Sequence, residues 1–341
     1  MDDMTTGRPG KYGLIDHISE KYGTTGKKTI TGIGDDASVI DHGDRYSLIS
    51  TDLLLEGIHF SLVYFPLKHL GYKAVIRGIS DIYAMNGTPG QVLLGLGLSS
   101  RFSSGMIDEL YEGISLACSR YNVDLAGGDL TSSLTGLTIS VTAAGSVARD
   151  RLVKRSGARP NDLICVTGDL GAAYMGLQIL ERERRIFEQN KGIEPDLGNN
   201  DYVIGRQLKP ELPVSLFSEL DKAGILPGAM TDVTDGLASD LMQICKASGT
   251  GCRIFSKQIP VDYETARLAE EFNIDPLTAA LNGGEDFEFL FTVPADDYEK
   301  IKVIRDVKVI GHTTASGSGN FIVGADGTEV ELTAQGWTGE K

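Results

Sequence analysis

Cysteine is scarce in this chain, and the four present, at 118, 165, 245 and 252, form no C-x-x-C pair. That argues against a disulfide framework or a zinc site and reads as small buried hydrophobes in a reducing compartment. Basic charge is also short: 32 Lys and Arg stand against 47 Asp and Glu, a net charge of −15. A nucleic-acid binder needs a basic surface, so no nucleic-acid partner is expected, and an anionic membrane surface is disfavoured in the same way. No apolar run approaches the ~20 residues of a membrane span. The acidic start Met1-Asp2-Asp3-Met4 is no signal peptide, and the cytoplasm is the expected location. Familiar nucleotide signatures are missing too. Gly23-Thr24-Thr25-Gly26-Lys27-Lys28-Thr29 has the wrong spacing for a P-loop, and Gly32-Ile33-Gly34 lacks the third glycine of a dinucleotide fingerprint. There is no kinase catalytic loop, H-E-x-x-H or G-x-S-x-G. If the chain handles ATP, it does so by another architecture.

What is present suits a soluble two-domain α/β protein. The 341 residues, 41% hydrophobic and 23% charged, are too many for one ordinary core. A boundary is expected near Ala148–Arg151, giving domains 1–148 and 149–341. In the first half, Tyr46–Ser50, Gln91–Leu98 and Leu137–Ala144 read as strands, and Lys68–Asn86 and Ser104–Tyr121 as helices. A short helix is expected around Leu14 to Ile18. In the second half, Leu163–Thr167, Gly251–Phe255 and Phe287–Val293 read as strands, and residues 190–203 as a loop. Glu181-Arg182-Glu183-Arg184-Arg185 reads as a solvated helix end. Asp235 has the chemistry of an N-cap for a helix stopped by Gly249.

The chemistry lies in aspartates at the ends of apolar stretches: Gly34-Asp35-Asp36, Ser50-Thr51-Asp52, Ser80-Asp81, Gly127-Gly128-Asp129 and Thr231-Asp232-Val233-Thr234-Asp235-Gly236. Carboxylates are ligands for hard cations such as Mg²⁺, and strand ends are where α/β proteins place their sites. Several such ions at one site imply a nucleoside triphosphate meeting a second anionic substrate. Asp81 falls on the inner stripe of its helix with Leu67, Leu70, Ala74, Gly78 and Met85. A buried charge there needs either a metal or a cation such as Arg77, one turn earlier.

Set in order, these segments resemble thiamine-monophosphate kinase, a family of the aminoimidazole ribonucleotide synthetase superfamily. The others in the set are Asp52-Leu53-Leu54-Leu55-Glu56-Gly57-Ile58-His59-Phe60, Gly71-Tyr72-Lys73-Ala74, Arg155-Ser156-Gly157-Ala158, Val166-Thr167-Gly168 and Gly283-Gly284-Glu285-Asp286-Phe287-Glu288. The resemblance runs from about residue 10 to the C-terminus. It implies a two-domain α/β (α+β) fold whose N-terminal domain forms a homodimer through β-structure. It implies several Mg²⁺ ions on Asp36, Ser50, Thr51, Asp52, Asp81, Asp129, Asp232 and Asp235. It implies nucleotide contacts from Gly128, Asp129, Arg155 and Thr234, with Asp81 and Arg155 catalytic. It implies that His59, Glu285 and Trp337 contact thiamine monophosphate. Thr234 stands where Ser is common and Gly78 where Asn often precedes the Ser-Asp pair.

The reaction so implied moves the γ-phosphoryl group of ATP to thiamine monophosphate and gives thiamine diphosphate. The alternatives are another ATP-using enzyme of the superfamily and a catalytically silent nucleotide-binding relative. A selenophosphate synthetase needs a reactive Cys or selenocysteine in a glycine-rich N-terminal loop, whereas the first cysteine here is Cys118, within an expected helix. A purely structural acidic protein would leave Arg155 and the His59 segment unexplained.

Overall fold

The computed structural model describes residues 10–24, 26–190 and 195–334. The chain opens with helix α1 (Lys11–Tyr22), strands β1 (Thr29–Thr31), β2 (Ser38–Asp41) and β3 (Arg45–Leu55), and helix α2 (Leu67–Ala84). Strand β4 (Thr88–Leu98), helix α3 (Ser104–Tyr121), and strands β5 (Asp124–Ser132) and β6 (Thr138–Ala148) complete the first half. These six strands form one sheet in the order β1-β2-β3-β6-β4-β5. It is antiparallel except for the β4–β5 pair.

The second half runs through β7 (Leu163–Thr167), α4 (Ala172–Gln189), α5 (Asp201–Leu208), α6 (Ser215–Ala223), β8 (Ala229–Asp232), α7 (Leu237–Ser248) and β9 (Gly251–Phe255). It continues through α8 (Tyr263–Glu271), α9 (Pro276–Asn282), β10 (Phe289–Val293), α10 (Tyr298–Ile301), β11 (Val307–Thr314), β12 (Asn320–Val323) and β13 (Glu329–Glu331). Its seven strands form a second sheet, β13-β12-β9-β11-β7-β10-β8. The mixed α/β class expected from the sequence is therefore present. Residues 201–203, expected as loop, are the first turn of α5.

Helix α2 holds the halves together. It packs on β3, β4 and β6 on one side and touches β8 and α5 on the other. Burial on most sides is why so few of its residues are polar and why those few matter. It crosses α3 closely: a Cβ on Gly113 would stand 1.8 Å from the carbonyl oxygen of Lys68, so only glycine fits. On the sheet side, a Cβ on Gly78 would meet Val141 Cγ1 at 2.6 Å. Glycine at 78 thus lets this turn of α2 lie close on β6.

Strand alternation sorts the acids before any chemistry is considered. On β3, Leu48, Ser50 and Leu54 are buried towards α2, and Asp52 shares their parity, whereas Ile49, Thr51 and Leu53 are exposed on the opposite face. The buried core is continuous across the halves, from Val39 and Ile76 to Phe289 and Phe291. All four cysteines are buried and free. Among the described residues, no helix is long and apolar enough to cross a membrane.

Candidate active site

Three carboxylates from distant parts of the chain converge where α2 meets the second sheet. Oxygens of Asp36, Asp81 and Asp232 all lie within 4.8 Å of one another. Asp36 follows β1, Asp81 sits in the last turn of α2, and Asp232 ends β8. Asp36 Oδ1 accepts from Arg155 Nε at 2.9 Å and from Thr231 Oγ1 at 2.9 Å, while Asp36 Oδ2 is buried without a partner. Asp232 Oδ2 accepts from Ser80 Oγ at 2.5 Å. The Asp81 carboxylate has no hydrogen-bond partner among the described residues; Arg77, the cation expected as its possible partner, donates to Asp52 and Glu285. Burial, with Asp52, Asp232 and Asp36 nearby, pushes the Asp81 carboxyl well above its ordinary range. Burial and Asp36 push Asp232 up to about 7. Too little positive charge faces these acids from the protein itself.

Asp52 joins them from β3. Its Oδ1 accepts from Arg77 Nε at 2.9 Å, and its Oδ2 is buried and unpartnered. Two orphaned buried carboxylate oxygens beside a trio of close carboxylates are what a hard divalent cation would satisfy. The residues present therefore fit Mg²⁺.

The site opens into two cavities. One, of about 930 Å³, is lined by Asp52, His59, Arg77, Thr234, Asp235 and Glu285 among others. The second, of about 780 Å³, is lined by Tyr12, Asp35, Asp36, Ser50 and Arg155 among others. Thr51 borders both. Its hydroxyl lies on the far face of the sheet, 3.2 Å from that of Thr142, while Ser50 Oγ donates inward to the carbonyl of Gly78 at 3.0 Å.

Glu285 is fixed by two cations. Lys73 Nζ donates to Glu285 Oε2 at 2.8 Å and Arg77 Nη1 to Oε1 at 3.0 Å. Burial would raise the Glu285 carboxyl, but Lys73 and Arg77 hold it below its ordinary value. Glu285 and Phe287 both have positive φ, 58° and 55°. Such backbone is uncommon for residues with side chains and clusters at functional sites. Here it is held by bonds from Glu285 N to Thr234 O and from Phe287 N to Val233 O. His59 Nδ1 accepts from Leu55 N at 3.0 Å, and burial together with Arg77 lowers its pKa, keeping the ring neutral.

Several expectations are corrected. Asp235 is not an N-cap: Gly236 holds that position without a side-chain bond, and Asp240 Oδ2 accepts from the backbone N–H of Thr234 and Asp235. The Asp235 carboxylate instead accepts from Lys11 Nζ and from the Tyr12 hydroxyl, both on α1. The charge run 181–185 is not a solvated end, because α4 continues to Gln189 and Glu183 is buried. Glu181 and Arg184 border the larger cavity, and Glu181 accepts from Tyr64. Neither these residues nor Lys11 and Lys73 carried a sequence signal for the site beyond Lys73 lying in the Gly71-Tyr72-Lys73-Ala74 segment. Gly128 and Asp129 lie on the exposed edge strand β5, three strand spacings from Asp52, roughly 14 Å across the sheet. Trp337 lies outside the described residues.

Comparison with known proteins gives consistent results along most of the chain. Residues 34–147 match the family model AIR synthase related protein, N-terminal domain, and residues 159–324 match its C-terminal domain. A thiamine-monophosphate kinase of Bacillus subtilis is 34% identical over 90% of this chain and 92% of its own length. One from Aquifex aeolicus is 32% identical over 96% and 97%. A solved structure of AaThiL complexed with AMPPCP and TMP superposes with a TM-score of 0.82 at 30% identity, covering 98% of this chain and 99% of that one.

Proposed function

The chain belongs to the thiamine-monophosphate kinase family, and from that premise we propose that it transfers the terminal phosphoryl group of ATP to the phosphate of thiamine monophosphate, releasing thiamine diphosphate and ADP. The observation that carries this reading is the trio of Asp36, Asp81 and Asp232, with the orphaned oxygens of Asp36 and Asp52 beside it, reached from two cavities. The relative solved with AMPPCP and TMP supports the assignment of both substrates.

The acceptor oxygen belongs to a phosphate already anionic near neutral pH, so no strong general base is required. What must be overcome is repulsion between two polyanions, a task of positioning and charge. Asp36, Ser50, Thr51, Asp52, Asp81, Asp232 and Asp235 are the residues we propose to hold Mg²⁺. Bound there, Mg²⁺ would neutralise the phosphates and align their oxygens. Arg155 and Thr234, each on a cavity wall, would contact the nucleotide. His59 and Glu285, on the wall of the larger cavity, would contact thiamine monophosphate, with Trp337 as an aromatic partner of the cationic thiazolium. The Lys73 and Arg77 ion pairs keep Glu285 ionised and aimed.

Division into a nucleotide-binding domain, 1–148, and a second α/β domain, 149–341, is supported by the separate sheets. A homodimer through the first sheet is supported by its uncovered face, where Ile49, Leu53 and Leu93 are exposed, and by β5, exposed along its length with Leu125 and Leu130. A cytoplasmic location is supported by the buried free thiols.

The test is a product assay with purified protein, ATP, Mg²⁺ and thiamine monophosphate, separating products by chromatography. Equal amounts of thiamine diphosphate and ADP are expected. ADP without thiamine diphosphate would mean another acceptor, and ATP binding without turnover would mean a silent relative.

A further inference from the structure

We propose that Arg77 is a further catalytic residue, the guanidinium that meets the acceptor's phosphate as it approaches the nucleotide. This role presupposes the phosphoryl transfer proposed above and adds a residue that none of the acid motifs supplied.

Arg77 lies on α2 one turn before Asp81 and spans the seam of the site. Its Nε donates to Asp52 Oδ1 at 2.9 Å, and its Nη1 donates to Glu285 Oε1 at 3.0 Å. An arginine offers five N–H donors in a planar fork, so these two bonds leave donors unspent, and Nη2 has no partner among the described residues. The side chain lines the larger cavity beside His59 and Glu285. Asp52 and Glu285 hold the guanidinium firmly protonated despite its burial.

The division of arginines between the cavities favours this assignment. Arg155 lines the smaller cavity and spends Nε and Nη2 on one carboxylate, Asp36. Arg77 is its counterpart on the larger one. Each of the two anionic substrates thus finds one arginine next to the acid set. Other cations on the larger cavity are less suited. Lys11 is tied to Asp235 and half-exposed, and Arg184 spends Nε, Nη1 and Nη2 alike on Glu181 and Glu188, whereas Arg77 keeps Nη2 uncommitted. Arg77 is fixed by two carboxylates and is only 15% exposed, so little freedom remains to be lost on binding. A held guanidinium also matches the fork geometry of a phosphate. Arg77 and Lys73 balance Asp52 and Glu285, so the repulsion left against a dianion comes from Asp81 and Asp232, the acids a bound cation would neutralise.

The experiment compares full-length wild type, Arg77→Ala and Arg77→Lys in the thiamine diphosphate assay at saturating Mg²⁺, with thermal melts as a control. Arg77→Ala is expected to lower kcat/KM for thiamine monophosphate by about 10³-fold while KM for ATP moves by no more than about threefold. Lysine should restore only a small part. Millimolar guanidinium should revive the alanine variant, and ammonium should not. An alanine variant within a few-fold of wild type would overturn the role. So would a loss that guanidinium cannot rescue and that accompanies a lowered melting temperature, since Arg77 would then only brace Asp52 and Glu285. Failure of wild type itself to make thiamine diphosphate would overturn the kinase reading, and this role with it.

Discussion

Two acidic clusters in this molecule use the same residue types to opposite ends. The front cluster, Asp36, Asp52, Asp81 and Asp232, leaves Asp36 Oδ2 and Asp52 Oδ2 buried and bare. The rear cluster, Asp286 and Glu288 with Asp169, lies behind Glu285 and is answered by the protein itself. Asp286 accepts from the N–H groups of Gly171 and Ala173 at the start of α4. Glu288 accepts from Arg206 Nη1 at 2.8 Å and Thr167 Oγ1 at 2.5 Å, and Asp169 accepts from the Tyr202 hydroxyl at 2.5 Å. Among the described residues, Asp169 Oδ1 and Arg206 Nε remain unpartnered there. A buried carboxylate met by helix N–H groups, hydroxyls and an arginine is part of the scaffold. One whose oxygens face other carboxylates awaits a cation from outside.

The largest expected effect separates the clusters by activity. Asp81→Asn should cut kcat by at least about 10³-fold, with the metal-free melting temperature equal to or above wild type because repulsion is relieved. A stable, active variant in an ADP-release assay would erase the distinction. Next, Arg206→Met should do the reverse. Leaving Glu288 and Asp286 buried without their cation should cost about 3–5 kcal/mol in urea unfolding, while activity per folded molecule stays within a few-fold; an unchanged midpoint would make the rear cluster no scaffold.

Proton linkage sharpens the comparison. Burial raises Asp232 and Asp286 alike, each to about 7. A carboxyl raised in the folded state contributes stability that is full below its unfolded value near 4 and is lost as pH rises through about 7. Metal-free protein should therefore melt lower at pH 8.5 than at pH 5.5. Added Mg²⁺ should shrink the part of that slope due to Asp232 and leave the part due to Asp286. Calorimetry in EDTA and in Mg²⁺ measures both, and identical slopes would count against a front cation site. The smallest effect is that of Ser80→Ala. Its hydroxyl lowers the Asp232 carboxyl, so its loss should raise that pKa further and steepen the metal-free slope by about 1 kcal/mol across the same range. No steepening would mean that the Ser80 bond carries no weight.

Local pattern carried the elements well where one face is regularly apolar. Ser104–Tyr121, Leu163–Thr167 and Gly251–Phe255 appear with the bounds read from sequence. It failed for short pieces such as β1, β2 and α5, which have too few residues to show a period. The acid motifs were legible because Gly-Asp and Ser-Thr-Asp steps at strand ends have local chemistry. Their partners were not. Asp235 looked like a cap because the cap rule is local, and Lys11 lies 224 positions away. Arg77 looked like a partner for Asp81 because helical spacing is local, whereas its actual acceptors come from β3 and from the turn before β10.

By itself, then, the sequence determined the elements with a regular apolar face and the order of acid motifs that marks the family, since these follow from periods and neighbours within a few residues. Only the tertiary structure decided which carboxylates meet, which are neutralised by Arg206, Lys73 and Arg77, and which are left bare. Ion pairing depends on distance in space, and in this chain the deciding distances were set by α2 packed between two sheets.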